Sequence, residues 1–534
     1  MQILTASEMG AADRRTVEEF GVTVADLMAR AGEAVATFCL RRYPVAKRVV
    51  VVCGKGNNGG DGLVAARVLA FAGREVRVVL LGKMDEVKGE AAKALQRLRS
   101  EASWVVVGEV VSEAAVAAVL GDAELLIDAV VGTGFKPPLR GLAAVLQGMV
   151  QGLKVPVVAV DVPSGWDADS TEQICEGAFR ADAVVTFTAP KLAHVFGHLT
   201  AGALDGGTFG PVVVAEIGSP ESVVLSDTGL RWTGSAKVVA EARRAVNANK
   251  GRFGHVLVVG GSYGKAGAAG MASLGALRAG AGLVTAAVPK SILNTVAAIA
   301  PELMVEPLAE GEEGAVSFKN MEVARLGTLL KKISVVVVGP GLSTMSDAPE
   351  FARQMVEKSK QPVVVDADGL NAFEGRGKLL RGDSRVMVLT PHPGEMARLT
   401  GLTVGEVEAD RVGLARRFAV KHRLTLVLKG WRTLVAHRDG TVAVNTTGNP
   451  AMAKGGSGDI LAGIIAALLA QYPNDVAQAV EAAVYLHGLA GDFAVQAMDE
   501  HTVLATDTLA HLSDAFGYRV KDEDGLTWIC GMRG

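Results

Sequence analysis

Short, continuous apolar runs recur along the chain: Arg48–Cys53, Glu75–Leu81, Trp104–Val107, Glu124–Asp128 and Val155–Val160. Runs that do not alternate with polar residues predict strands covered on both faces, as in a parallel sheet. Before and between them, apolar positions fall at helical spacing. Leu27, Ala31, Ala34, Val35 and Phe38 share one face of a predicted helix over Val24–Leu40, and Ala6–Phe20 reads as a second packing helix. The second half repeats the alternation, with strands expected at His255–Gly260, Ile333–Val338, Pro362–Val365, Arg385–Leu389 and Thr425–Lys429. Helices are expected at Leu63–Phe71, Ala268–Ala279, Ile460–Ala470 and from Asn474 to Ala515. Such alternation predicts doubly wound α/β sheets, with ligands beyond the carboxyl ends of the strands. The pattern loosens between Ile217 and Lys250, so two domains are expected, 1–222 and 235–520. Val520–Gly534 has no clear periodicity and reads as a loose tail.

Composition narrows the class. A chain of 534 residues, 49% hydrophobic and 21% charged, is a globular protein too long for one ordinary core. Its 64 glycines are roughly 12% of the residues against about 7% usually, which favours close backbone approach to ligands. A net charge of −3 without a basic block argues against nucleic acid as a partner. Cys39, Cys53, Cys175 and Cys530 lack metal-type spacing, which points to a reducing compartment. With no signal peptide and no apolar run of membrane length, the expected location is cytoplasmic, with no membrane partner.

The chemistry gathers at strand ends. After the first strand, Gly54, Gly56 and Gly59 match G-x-G-x-x-G, the dinucleotide fingerprint of dehydrogenases. That motif also wants an acid closing the second strand, where this chain has Gly82-Lys83. Asn57, Asn58 and Asp61 instead add side-chain ligands to the loop. Asp128 with Gly132–Phe135, and Asp161 with Ser164, end two further strands on the same rim. In the second half, Gly261–Gly267 is not a P-loop, because Val259 stands where the first glycine belongs and Ala266 replaces the hydroxyl. Gly455-Gly-Ser-Gly458 opens an apolar helix, a place where bare N–H groups and the helix dipole bind phosphate. An acid in a first turn can be a simple cap. Asp459, directly behind a phosphate-binding turn, reads better as a base for a hydroxyl attacking that phosphate.

These stretches carry two resemblances. Asn57–Asp61, Asp128 with Gly132–Phe135, and Asp161–Gly165 resemble the NAD(P)H-hydrate epimerase domain over roughly residues 1–220, a Rossmann-like three-layer sandwich. The resemblance implies potassium on Asn58, Asp128 and Ser164, hard oxygen ligands suited to an alkali cation. It implies substrate binding by Asn57, Asn58, Gly59, Gly60 and Asp61, by Gly132, Thr133, Gly134, Phe135, Lys136, Pro137 and Pro138, and by Asp161, which is also the expected proton shuttle. Lys191 is either its helper or an ordinary surface lysine.

Gly455–Asp459, Thr390–Ala397, Lys429–Thr433 and Gly339–Leu342 resemble the ribokinase-like ADP/ATP-dependent NAD(P)H-hydrate dehydratases over Lys250–Ala515. That likeness implies hydrate contacts from Ala268, Gly341, His392 and Asp459. It implies nucleotide contacts from Lys429, Gly430, Trp431, Arg432 and Thr433, and from Gly455, Gly456, Ser457 and Gly458. ADP as co-substrate, magnesium, NADHX and NADPHX as substrates and a homo-oligomer are further implied. The rival expectation is a kinase of the same fold acting on a small vitamin alcohol, with a non-catalytic N-terminal binding module. Lys454, ahead of the glycines, is a candidate extra phosphate contact.

Overall fold

A computed structural model describes residues 1–112, 120–200 and 209–533. The chain forms two compact units, Met1–Leu230 with Arg519–Gly534, and Arg231–Tyr518. In the first unit the strands are β1 (Arg48–Cys53), β2 (Glu75–Leu81), β3 (Val106–Val110), β4 (Leu125–Ala129), β5 (Val157–Val160), β6 (Ala183–Phe187) and β7 (Val212–Ala215). Their order across the sheet is β7-β6-β5-β4-β1-β2-β3, all parallel. The strand order therefore reverses between β1 and β4, which leaves a crevice beyond their carboxyl ends. Backbones close in there. A Cβ at Gly54 would stand 2.0 Å from the Val130 carbonyl oxygen, a position only glycine can fill.

Two sequence expectations need correction here. The helix after β1 begins at Asn57, not at Leu63, and runs to Phe71. Its glycine-rich first turn has poor intrinsic propensity. Packing overrides that, with Gly60 closing on Met28 and Gly59 on the Gly54 carbonyl. The supposed tail also folds. Leu526–Cys530 is a fully buried strand that pairs antiparallel with β7 at the edge of the first sheet. Its Trp528 packs with Phe38, ring centroids 6.2 Å apart. Val212 and its neighbours lie some three hundred residues away in sequence, so no local signal marks the pairing.

The second unit's sheet is built from β8 (Leu230–Trp232), β9 (His255–Val259), β10 (Leu283–Pro289), β11 (Met304–Leu308), β12 (Val335–Val338), β13 (Val363–Val365), β14 (Met387–Leu389), β15 (Thr425–Leu428), β16 (Leu434–Ala436) and β17 (Val442–Val444). The order is β11-β10-β9-β12-β13-β14-β15-β16-β17-β8. Strands β11 to β15 are parallel, and β16 and β17 turn antiparallel. A second reversal falls between β9 and β12. The α/β class expected of both halves is what the structure has; the final strand, by sequence order, is β18, the Leu526–Cys530 segment.

One helix pair fixes the position of the second site. The helix Ser457–Gln471, buried almost all round, crosses the helix Ala266–Arg278. A Cβ at Gly463 would lie 1.9 Å from the Ala272 carbonyl oxygen. Glycine there lets the backbones touch and sets the Ser457 helix down on the sheet.

Candidate active sites

A cavity of ≈ 800 Å³ opens at the first unit's crevice, walled by Asn57, Asn58, Asp61, Gly132–Phe135, Asp161 and Lys191. The loops interlock: a Cβ at Gly132 would stand 3.0 Å from Asn58 Oδ1 and 3.1 Å from Asp161 Oδ2. Lys136, Pro137 and Pro138 are not part of the cavity wall, and the Lys136 ammonium is held by Asp167 at 2.7 Å and Asp169 at 2.9 Å. Gly59 and Gly60 likewise contribute by being small rather than by lining the cavity.

Asp161 sits at the end of β5 with φ 67°, a left-handed conformation that costs a non-glycine residue and recurs at functional sites. Its Oδ1 accepts from Lys191 Nζ at 2.9 Å and Thr186 Oγ1 at 2.9 Å. Its Oδ2 accepts from the Thr133 amide at 2.9 Å and from the Thr133 hydroxyl. Burial works against the charge, but Lys191, His194 and the Thr133 hydrogen bond outweigh it and hold the carboxyl well below the usual range. Lys191 is no surface lysine; it is 1% exposed. His194 Nδ1 accepts from the Lys191 amide at 2.9 Å, which leaves Nε2 to donate to the Asp161 carbonyl at 2.7 Å. Burial, then Lys191, push the ring down to about 4, so it stays neutral.

Asp128 and Ser164 are both wholly buried, with Ser164 Oγ donating to Asp128 Oδ1 at 2.6 Å and its amide to Oδ2 at 2.8 Å. Burial pushes the Asp128 carboxyl up to about 6. Asn58 Nδ2 is buried with no hydrogen-bond partner among the described residues. The helix Ala6–Phe20, expected only to pack, also walls the cavity, through Met9, Gly10, Asp13 and Val17 among others. Sequence reading missed Asp13. Only its place on the helical face shared with Met9 and Gly10 could have flagged it.

The second site lies at the carboxyl ends of β12 to β15. Gly341 (φ 62°) presses on the start of the Ala266 helix, where an added Cβ would stand 2.9 Å from Ala268 Cβ. Lys429 Nζ pairs with Asp366 Oδ1 at 2.9 Å and Glu395 Oε2 at 3.8 Å. It reaches the helix turn as well, within 3.1 Å of where a Cβ on Gly458 would be. Burial opposes its charge, but Asp366, Glu395 and Asp459 together raise its proton affinity. Thr390 Oγ1 donates to Asp366 at 2.7 Å. Asp366 is the counter-ion that sequence reading left unassigned, although it too ends a strand.

The helix turn itself is capped by Gly456 (φ 98°), with no side-chain cap. The amides of Gly456, Gly458 and Asp459 have no acceptor among the described residues. The Asp459 carboxyl makes no hydrogen bond among them either. Burial first, then Asp366, push it up to about 7. His392 caps the helix Pro393–Thr400, accepting from the Gly394 amide at 3.0 Å, with its side chain 51% exposed. Thr433 is half-buried, its hydroxyl donating to the Gly430 carbonyl at 3.2 Å. The Arg432 guanidinium is buried over the Trp431 ring and donates to the Thr446 carbonyl at 2.8 Å. Lys454 is tied to the carbonyls of His501 and Val503, not aimed at a phosphate.

A family described as NAD(P)H-hydrate dehydratase matches residues 256–515, and one described as the YjeF-related protein N-terminus matches residues 24–193. The bifunctional NAD(P)H-hydrate repair enzyme Nnr of Moorella thermoacetica is 40% identical over 521 residues, 96% of each chain. That of Thermofilum pendens is 36% identical over 515 residues, again 96% of each. That of Escherichia coli is 33% identical over 523 residues, 97% of this chain and 95% of its own. With two strand-end sites of this geometry and relatives aligned across nearly its whole length, the chain belongs to the bifunctional NAD(P)H-hydrate repair enzyme family.

Proposed function

We propose that the protein restores hydrated nicotinamide cofactors: the first unit interconverts the R and S hydrates of NADH and NADPH, and the second dehydrates the S form at the expense of ADP. One observation carries this reading over a vitamin-alcohol kinase with an inert first domain. The alignment with bifunctional repair enzymes spans 96% of the chain, so it takes in both sites together.

In the second unit, Asp459 takes the proton of the ring hydroxyl, whose oxygen then attacks the terminal phosphorus of ADP. The amides of Gly456 and Gly458, without acceptors among the described residues, and the Lys429 ammonium beside them are assigned to the charge that develops on the transferred phosphoryl group. AMP leaves. The ring nitrogen's lone pair then expels phosphate, and loss of a proton from the adjacent ring carbon restores the reduced nicotinamide. Magnesium belongs to the nucleotide phosphates, as is usual for an ion that keeps phosphate and water as ligands. Gly341, Ala268 and His392 are assigned to the hydrate, and Lys429–Thr433 to the nucleotide, with Arg432 acting through the backbone it braces.

In the first unit, epimerisation requires the C–O bond at the hydroxylated carbon to open and close again. Asp161, held ionised, faces the cation this generates on the ring. Asp128, Ser164 and Asn58 offer potassium oxygen ligands: a wholly buried carboxylate without a cationic partner among the described residues, a hydroxyl, and an amide oxygen. Bound there, the ion would supply countercharge to Asp128 and steady the Val130–Thr133 loop. A cytoplasmic homo-oligomer is part of the proposal, supported by the family likeness and the free cysteines.

Incubating the protein with enzymatically hydrated NADH and ADP, while following the absorbance of reduced nicotinamide, tests the whole. Full recovery of mixed isomers is expected. Recovery of one isomer alone would leave the first unit inert, and no recovery would restore the kinase reading.

A further inference from the structure

Epimerisation by opening a C–O bond has a requirement that Asp161 does not meet. A hydroxyl leaves as water only when an acid protonates it. Asp161 is ionised, and all its lone pairs are engaged: two donors, Lys191 and Thr186, on Oδ1, and two from Thr133 on Oδ2. It can hold a cation but has no proton to give.

We propose that Asp13, on the helix Ala6–Phe20, is the acid that protonates the departing hydroxyl in the first unit's cavity. Three observations converge. Asp13 walls the same ≈ 800 Å³ cavity as Asp161 and Lys191. Its Oδ1 is buried with no hydrogen-bond partner among the described residues. It also does nothing for the helix, which is already capped by Thr5 with Glu8, and an aspartate in mid-helix is a poor helix former. A buried polar atom without a partner is costly, so its presence on a cavity wall points to a ligand that completes it.

The electrostatics agree. Burial raises the Asp13 carboxyl, Asp161 raises it further, and Lys191 and Arg14 offset only part. Asp61, facing the same groups from the helix Asn57–Phe71, is also raised by burial and by Asp161 and Asp13. The cavity thus holds one carboxyl pulled below the usual carboxylate range and two pushed above it, the kind of division that separates acid from base in enzyme sites. In the step, the Asp13 proton passes to the hydroxyl oxygen and the C–O bond breaks. Water departs, and the ring nitrogen's lone pair forms the C=N bond of a cation facing Asp161. Water then adds to the ring carbon and returns a proton to the Asp13 carboxylate, so nothing is consumed.

This rests on the epimerase reading, and the test separates the two. Purified R hydrate is incubated without nucleotide and its conversion to S followed by chromatography, for the full-length wild type, Asp13→Asn and Asp13→Glu. Failure of the wild type would sink the epimerase reading itself. With an active wild type, Asp13→Asn should lose roughly 10²–10⁴-fold in kcat with KM within a few-fold, as removal of a general acid does. Asp13→Glu should recover part of the rate. The wild-type rate should fall as pH rises through the Asp13 pKa, and the residual Asn activity should lack that limb. Thermal unfolding followed by circular dichroism should show the first unit of each variant folded as in wild type, and dehydration of pure S hydrate with ADP in the second unit should be unchanged. An Asp13→Asn protein that epimerises within a few-fold of wild type, or that changes KM alone, would overturn the proposal.

Discussion

Asp459→Asn separates catalysis from capping in one protein. Asparagine ranks with aspartate at helix N-termini, so an acid that only stabilised the helix could be replaced without harm. The structure makes the substitution sharper than that. The cap is Gly456, and Asp459 makes no capping hydrogen bond. Burial and the neighbouring Asp366 move the carboxyl from 3.8 to about 7. Because the folded-state pKa is raised, no penalty exists below pH about 4, where both states are protonated; it grows up to pH 7 and is complete above it. At about 1.4 kcal/mol per tenfold change in proton affinity, the charged form destabilises the fold by on the order of 4 kcal/mol, less the part that solvent screens at this partly exposed site. Asp459→Asn should therefore unfold at a temperature equal to or above wild type at pH 8, with the advantage disappearing towards pH 4. Dehydratase turnover on pure S hydrate should meanwhile drop roughly 10²–10⁴-fold. The wild-type rate should rise with pH and level off above about 7. Calorimetry at several pH values and the absorbance assay measure both. A variant that dehydrates within a few-fold of wild type would return Asp459 to the role of cap and refute the reasoning.

Three further outcomes are expected. Lys429→Met strands the Asp366 carboxylate, which is 1% exposed, and should cost roughly 3–5 kcal/mol in urea unfolding, with weaker use of ADP. Asp128→Ala should slow epimerisation and abolish its dependence on potassium while leaving dehydration intact; wild-type epimerisation across a potassium series would refute the ion assignment. Deleting residues 519–534 removes β18 and bares the β7 edge of the first sheet. With Leu526, Trp528 and Ile529 each buried, the loss is roughly 1.5–3 kcal/mol per large side chain. Epimerase activity should become heat-labile before dehydratase activity does, and equal lability would argue against that strand's contribution.

The apolar patterning alone determined the two α/β units, most of the strands and the rim on which chemistry sits. A strand covered on both faces leaves a continuous apolar run, and Arg48–Cys53 matches β1 residue for residue. The places of Asp161, Asp128 and Asp459, at strand ends or at a helix start behind glycines, were legible because local sequence pattern sets them. What depended on distant partners was not legible. Lys191 read equally as a helper of Asp161 or as a surface lysine until the fold buried it against Asp161, 30 positions earlier. Asp13 looked like one polar residue on a packing helix until tertiary structure laid that helix along the cavity. Lys454 looked like a phosphate ligand until the carbonyls of His501 and Val503 took its ammonium. The final strand showed no pattern of its own, because its burial comes from β7, three hundred residues away. Periodicity records what a segment does with its neighbours in sequence. The charge state of an acid and the partner of an edge strand are set by groups that only the folded chain brings within a few ångströms.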